Sequence, residues 1–328
     1  MAGLRLDLAL GAGLSLPDDG RIVVLGARSG ADLAALPRDR VVIEQRHFPD
    51  HQALERAGWQ VETAVDGAAA AVLVVVPRAR AEAEALVARA AAMTDGPVIV
   101  DGQKTDGIDT LLKALRGRVA LGGPISKAHG KIAWFEGGAD LSDWAAERAP
   151  SSTGEGWVTA PGVFSADGPD PASVLLADTL PDKLGRAVAD LGAGWGYLSA
   201  RVLERADVET LDLVEGDAVA LDCARANVTD PRARFHWADA TAWGPARSRD
   251  AVVMNPPFHQ GRKGDPGLGQ AFIVNAARLL KPSGRLWMVA NRHLPYEITL
   301  REHFAQVETR ADEGGFKVIE ALKPKGRR

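Results

Sequence analysis

Arg186-Ala187-Val188-Ala189-Asp190-Leu191-Gly192-Ala193-Gly194-Trp195-Gly196 reads as a short buried strand running into a glycine turn, and an apolar helical pattern through Leu198, Val202 and Leu203 follows it. Strand, tight glycine loop and helix in that order make a nucleotide-binding unit, because the backbone must turn sharply and approach a ligand closely. The spacing is G-x-G-x-G rather than the G-x-G-x-x-G of dinucleotide sites, so the loop points to an α/β layout and leaves the ligand open. Three further strand ends follow. Leu211-Asp212-Leu213-Val214 stops at Glu215, where an acidic side chain reaches ribose hydroxyls in a Rossmann-like arrangement. A third candidate strand leads to Asp239, and Asp250-Ala251-Val252-Val253-Met254 stops at Asn255-Pro256-Pro257-Phe258. Open α/β sheets bind ligands outside the carboxyl ends of their strands, so these four ends define one candidate site.

The last of them carries the chemistry. A strand cannot continue through two prolines, since each lacks an N–H and fixes its own φ, and Pro257 restricts Pro256 to extended conformations. The Asn255 amide oxygen and the Pro256 carbonyl are therefore held at a strand end. Two fixed acceptors at hydrogen-bond range can take both hydrogens of an exocyclic –NH₂ and leave its lone pair facing an electrophile, while Phe258 offers a ring on which a base can stack.

Composition excludes several alternatives. A chain of 328 residues is long for one core and comfortable for two domains. The single cysteine, Cys223, allows no intramolecular disulfide, which suits a reducing cytoplasm. There is no charged segment leading into a sustained apolar stretch at the N-terminus and no window of membrane-span length, so a cytoplasmic protein without membrane partners is expected. The seven histidines form no HExxH pair or Cys/His framework, and no metal is expected. A net charge of −4 argues against a generic nucleic-acid coat, so any RNA contact must come from a local patch.

The N-terminal half repeats the outline in degraded form. Arg21-Ile22-Val23-Val24-Leu25-Gly26-Ala27-Arg28-Ser29-Gly30 parallels Ala187 to Gly196, Val41-Val42-Ile43-Glu44 parallels the strand ending at Glu215, and Ala71 to Pro77 parallels the strand ending at Asn255. Arg28 stands where Gly194 gives the backbone room, and valine stands where the other half has asparagine. The expected organisation is a degenerate duplicate over residues 1–148 with an RNA-binding or structural role, a small, polar, Pro/Gly-rich linker over 149–160, and a catalytic domain over 161–328. Asp170-Pro171 opens a helix in the latter, Asp as N-cap and Pro at the first helical position.

At this point the residues resemble a known family. The C-terminal half is similar to class I S-adenosylmethionine-dependent methyltransferases. The chain from about residue 20 to 322 resembles the bacterial small-subunit ribosomal RNA guanine-N2 methyltransferases, which pair a non-catalytic with a catalytic methyltransferase fold. Pro161-Gly162-Val163-Phe164-Ser165, Asn255 to His259, and Ala290-Asn291-Arg292-His293-Leu294-Pro295-Tyr296 carry the resemblance. It implies an α/β protein of two tandem Rossmann-like methyltransferase folds, the first degenerate, with S-adenosylmethionine as cofactor and the N2 amine of a 16S guanine as acceptor. Gly192, Gly194 and Gly196 would line the cofactor loop with Asp190 before it; Glu215 would hold the ribose and Asp239 the adenine amine. Asn255, with Pro256, Pro257 and Phe258, would form the catalytic element and border the cofactor. Phe258, His259, Arg262, Lys263 and Arg292 would meet the substrate, which is ribosomal RNA or the small ribosomal subunit, bound by a monomer. Asn-Pro-Pro-Phe by itself also fits transfer to large-subunit RNA guanine, adenine-N6 or protein glutamine-N5, and a cofactor-binding interaction protein without turnover is the reading from a different class. The family often shows Asp-x-Gly-Ser where this chain has Asp170-Pro171-Ala172-Ser173, which leaves a cofactor contact there open.

Overall fold

A computed structural model of the protein describes residues 2–145, 151–154, 156–257 and 266–325. The chain divides into two compact units, Met1–Glu147 and Arg148–Arg328, each with its own seven-stranded sheet.

In the first unit the strands β1 (Ile22–Leu25), β2 (Val41–Glu44), β3 (Gln60–Glu62), β4 (Ala71–Val75), β5 (Pro97–Gln103), β6 (Gly122–Lys127) and β7 (Gly130–Glu136) lie in the order 3-2-1-4-5-7-6, and β7 alone runs antiparallel to its neighbours. The helices are α1 (Ala2–Leu10), α2 (Phe48–Arg56), α3 (Arg80–Met93) and α4 (Ile108–Leu115). Central strands read as continuous apolar runs because both faces are covered: Val23 and Leu25 enter one core with Val87 and Leu112, Ile22 and Val24 enter the other with Leu6 and Leu54. Residues 1–20, which show no clear pattern in the sequence, supply α1. Its Arg5 is 1% exposed and donates to Asp101 Oδ2 (2.8 Å) and to the Lys127 carbonyl (3.1 Å).

The second unit holds a small hairpin, β8 (Ser151–Ser152) with β9 (Val158–Thr159), then α5 (Pro171–Thr179), β10 (Ala187–Leu191), α6 (Tyr197–Leu203), β11 (Thr210–Glu215), α7 (Ala218–Asn227), β12 (Ala233–Trp237), β13 (Arg249–Met254), α8 (Pro266–Leu279), β14 (Leu280–Asn291), α9 (Tyr296–His303), β15 (Phe304–Glu313) and β16 (Phe316–Pro324). Its sheet order, 12-11-10-13-14-16-15, is that of the first sheet strand for strand, with β16 the reversed member. The apolar run Leu286–Val289 lies buried within β14. Arg249 pairs with Leu280 and Ala251 with Arg285, so the intervening Lys-Pro-Ser-Gly stretch bulges from the ladder. Cys223 lies fully buried in α7 among Ala160, Val163, Trp195 and Ala220.

Residues 149–160 are not a linker throughout. Asn227 of α7 accepts the Val158 N–H (2.7 Å) and donates to the Val158 carbonyl (2.8 Å), and the Trp157 ring packs 5.4 Å from that of Trp195. The Ser, Thr and Gly content of this stretch conceals two apolar side chains that have a surface to cover in the second unit.

With Leu25-Gly26-Ala27 matched to Leu191-Gly192-Ala193, the pairing registers correct one parallel drawn from the sequence. Leu25 is level with Glu44 while Leu191 is level with Val214, so the counterpart of Glu215 is Gln45 and not Glu44. Glu44 instead lies in an ion pair with Arg89 (2.5 Å) and accepts the Val65 N–H (2.7 Å). Counting on from these registers, Val24 is the counterpart of Asp190, Arg28 of Gly194 and Val75 of Asn255.

Candidate active site

The site forms where β10, β11 and β13 end. At the β10 end, Gly192 and Ala193 both donate to the Val214 carbonyl (2.8 and 3.1 Å), tying the loop to the neighbouring strand. Gly196 caps α6 with φ +93°, and a Cβ there would lie 2.9 Å from Val228 Cγ2, so no other residue fits without displacing α7. Gly194 has φ +56°, yet a Cβ built on it meets nothing within 4 Å. The space it leaves open is the cleft itself, lined by Asp190, Gly192, Gly194, Trp195, Asn255 and, from the segment before and into α5, Phe164, Asp170 and Ser173.

Two carboxylates organise the loop. Glu215 accepts the Gly194 N–H through Oε2 and the Asp217 N–H through Oε1 (2.8 Å each), and the Gly216 N–H also faces it; with roughly four lone-pair sites, a carboxylate so placed still has room for a further donor. Burial raises its pKa above the usual carboxylate range against the opposing effect of those N–H groups. Its counterpart Gln45 keeps one half of this pattern, accepting the His47 N–H through Oε1 (2.8 Å), and reverses the other, donating through Nε2 to the Ala27 carbonyl (2.6 Å). Asp190 is 1% exposed; its Oδ2 accepts the Ser199 hydroxyl (2.6 Å), while Oδ1 is buried without a hydrogen-bond partner. Burial pushes its carboxyl up to about 7, with the Ser199 hydroxyl opposing and the Glu215 carboxylate adding to the rise.

That rise has a testable sign. A folded-state pKa above the unfolded value stabilises the fold fully below about pH 4 and loses the contribution as pH climbs through about 7. Cofactor-free protein should therefore melt at progressively lower temperature from pH 5 to pH 8, a window above the range in which depressed carboxylates such as Asp250 and Glu297 act. Asp190→Asn should flatten much of that slope in thermal unfolding scans. An undiminished slope in the variant assigns it to Glu215 or elsewhere.

At the β13 end Pro256 is buried and Pro257 exposed. The Asn255 side chain donates through Nδ2 to Asp170 Oδ2 and to Ser173 Oγ, both at 2.9 Å. Asp170 is at the same time the N-cap of α5, its Oδ2 accepting the Ser173 N–H at 3.0 Å with Pro171 at the first helical position. Because a carboxylate offers only acceptors, the amide nitrogen must be the atom facing it, and the carbonyl Oδ1 is the atom turned to other partners. In the sequence Asp170 and Ser173 mark a helix start, and an Asp and a Ser three apart on a first turn are the only local sign of their contact with Asn255.

The remaining candidates fall in different places. Asp239, after β12, accepts the Thr241 N–H (2.8 Å) and hydroxyl (2.6 Å) and closes a turn. Arg292 follows β14, exposed, with Nε donating to Asp312 (2.8 Å). Phe258, His259, Arg262 and Lys263 lie outside the described residues. Phe164, 59% exposed, supplies an aromatic ring at the cleft, its segment held by the Trp195 indole N–H donating to the Phe164 carbonyl (3.0 Å). Among the described residues no three His, Cys, Asp or Glu side chains group as a metal site, and no helix is long and apolar enough to cross a membrane.

A buried unpaired carboxylate oxygen, a second carboxylate with spare acceptor sites and a glycine facing open space suit a ligand that carries positive charge and hydroxyl groups. S-adenosylmethionine, with its ammonium, sulfonium and ribose, has that chemistry.

Comparison with known proteins agrees. The family model of the methyltransferase small domain matches residues 156–320. The Ribosomal RNA small subunit methyltransferase C of Shewanella oneidensis is 30% identical over 75% of this chain and 75% of its own length, and that of Acinetobacter baumannii 27% over 92% and 95%. The Hahella chejuensis protein of the same name is 35% identical over 50% of this chain and 48% of its own length. Among solved structures, the T. thermophilus 16S rRNA N2 G1207 methyltransferase in complex with AdoMet and guanosine superposes with a TM-score of 0.77 at 25% identity, covering 98% of this chain and 92% of that one.

Proposed function

Since the chain belongs to the ribosomal RNA small subunit methyltransferase C family, built on the methyltransferase small domain, we propose that it is an S-adenosylmethionine-dependent methyltransferase acting on the exocyclic N2 amine of a guanine in 16S ribosomal RNA. The observation that carries this reading is the Asn255 amide, fixed at the end of β13 beside a cleft that also contains Asp190 and Gly194. When bound, the cofactor supplies an electrophilic methyl carbon on a sulfonium, a good leaving group, so the protein's work is positioning and electrostatic complementarity. Asp190 and Glu215 hold the cofactor's cationic and hydroxyl groups, and Gly194 gives it room. Asn255 Oδ1 and the Pro256 carbonyl accept the two hydrogens of the amine, which directs the nitrogen lone pair along the transfer line. The methylated nitrogen is acidic enough to lose its extra proton to water, so no dedicated base and no metal take part.

A guanine N2 inside a duplex is hidden from that trajectory, so the target is unpaired or extruded from its stack. Phe258 stacks on it, and His259, Arg262, Lys263 and Arg292 contact the RNA around it. The first unit takes no cofactor: Val24, Arg28, Gln45 and Val75 replace the four groups of the active site. It serves RNA binding and the integrity of the chain, which works as a cytoplasmic monomer on ribosomal RNA or the small subunit.

The test is to incubate the protein and labelled cofactor with ribosomal RNA or subunits from a strain lacking the gene and to map the modified base. Label on a guanine N2 of the small-subunit RNA is expected. Label on large-subunit RNA, adenine or a protein glutamine redirects the substrate. Cofactor binding with no transfer to any of these leaves an interaction protein.

A further inference from the structure

The Asn255 amide could face the cleft in two ways that differ by a half-turn about its last side-chain bond, and its two ends are nearly the same size. Only one of these presents an acceptor. Asp170 Oδ2 receives the N–H of Ser173 and one N–H of Asn255, and Ser173 Oγ receives the other. We propose that Asp170 and Ser173 are positioning residues that lock the Asn255 amide with its carbonyl presented for catalysis. Rotating the amide would break both hydrogen bonds and press Oδ1 against a carboxylate oxygen, so the unwanted orientation is excluded by charge as well as by geometry. Ser173 is 9% exposed, which leaves water little chance to replace its part in the clamp. Through Asn255 the clamp also selects the substrate group. An amine presents a hydrogen to the carbonyl and is held, whereas a ring carbonyl brought to the same atom meets lone pairs and is rejected.

This assignment rests on the methyl-transfer reading above, and its test separates the two. Asp, Asn and Ser are comparable N-caps. Asp170→Ser therefore keeps the start of α5 but is too short to reach Asn255, whereas Asp170→Asn keeps an oxygen at the Oδ2 position and so keeps both contacts. In the full chain, D170S should retain the wild-type melting temperature. Its single-turnover transfer at saturating cofactor and RNA should fall at least about tenfold, as for a misaligned reacting group. D170N should recover most of that loss. Ser173→Ala removes one of the two amide acceptors without touching the cap and should lower the rate at saturation by a smaller factor, which keeps the question answerable if D170S unfolds.

An active wild type with an indifferent D170S, or with a D170S that weakens the cofactor while transferring normally once saturated, overturns the positioning role. A D170N as slow as D170S does the same. A wild-type chain that binds cofactor and transfers no methyl to small-subunit RNA overturns the functional reading first, and this role with it.

Discussion

Asn255→Ala leaves S-adenosylmethionine affinity close to wild type and lowers single-turnover methyl transfer by about 10²-fold or more, the scale on which misplacing a reacting group slows a positioned reaction. The asymmetry follows from where the side chain sits. Its nitrogen is engaged by Asp170 and Ser173 at 2.9 Å, inside the protein, so its remaining polar atom is the one available to the amine. The groups assigned to the cofactor belong to β10, β11 and their loops, and their hydrogen bonds run to Gly194, Ser199 and Asp217 rather than to this amide. Truncation therefore removes an interaction made with the acceptor base and strengthened as the nitrogen attacks. Calorimetric titration of cofactor and single-turnover transfer on the same preparation check both halves. Transfer near the wild-type rate would take Asn255 out of its role, and a matching loss of cofactor affinity would make it a cofactor residue.

Gly194→Arg, which installs the first unit's residue in the second, is expected to abolish detectable cofactor binding in the full chain. Gly194 has φ +56°, a conformation that costs an L-residue about 1–2 kcal/mol, and the guanidinium would enter the open space of the cleft with the same sign of charge as the sulfonium and ammonium. Arg28 itself is not among the residues with left-handed backbone, so the first unit's loop takes a different path around that side chain. Because the first unit is proposed to bind no cofactor, nothing should remain once the second site is blocked: titration of the wild type gives one molecule per chain, and of the variant none. Residual binding at wild-type affinity with half the stoichiometry would show a working site in the first unit.

Much of this was legible in the sequence because glycines and prolines end strands abruptly. Leu191 before Gly192 and Met254 before Asn255-Pro256 are strand ends that composition alone delimits, and Asp170-Pro171 announces a helix start. What stayed hidden depends on pairing between distant residues. Whether Glu44 or Gln45 matches Glu215 turns on a one-residue register that only the ladder between β1 and β2 decides. The Asp170–Asn255 contact joins residues 85 apart, and Arg5–Asp101 joins residues 96 apart, so neither leaves a local pattern. The hairpin of Val158 and Thr159 is too short for periodicity to register, and its anchor, Asn227, lies in a helix 69 residues away.

Cys223 has a practical consequence. It is the sole thiol of the chain, fully buried in α7, and its pKa is raised by burial and by the neighbouring Asp222 and Asp217, so the reactive thiolate is suppressed and reagents cannot reach it. The folded protein is accordingly a ready background for maleimide labelling. A cysteine introduced at any exposed position gives one addressable dye or spin-label site, with the native thiol left untouched as a reporter that reacts only when the second unit opens.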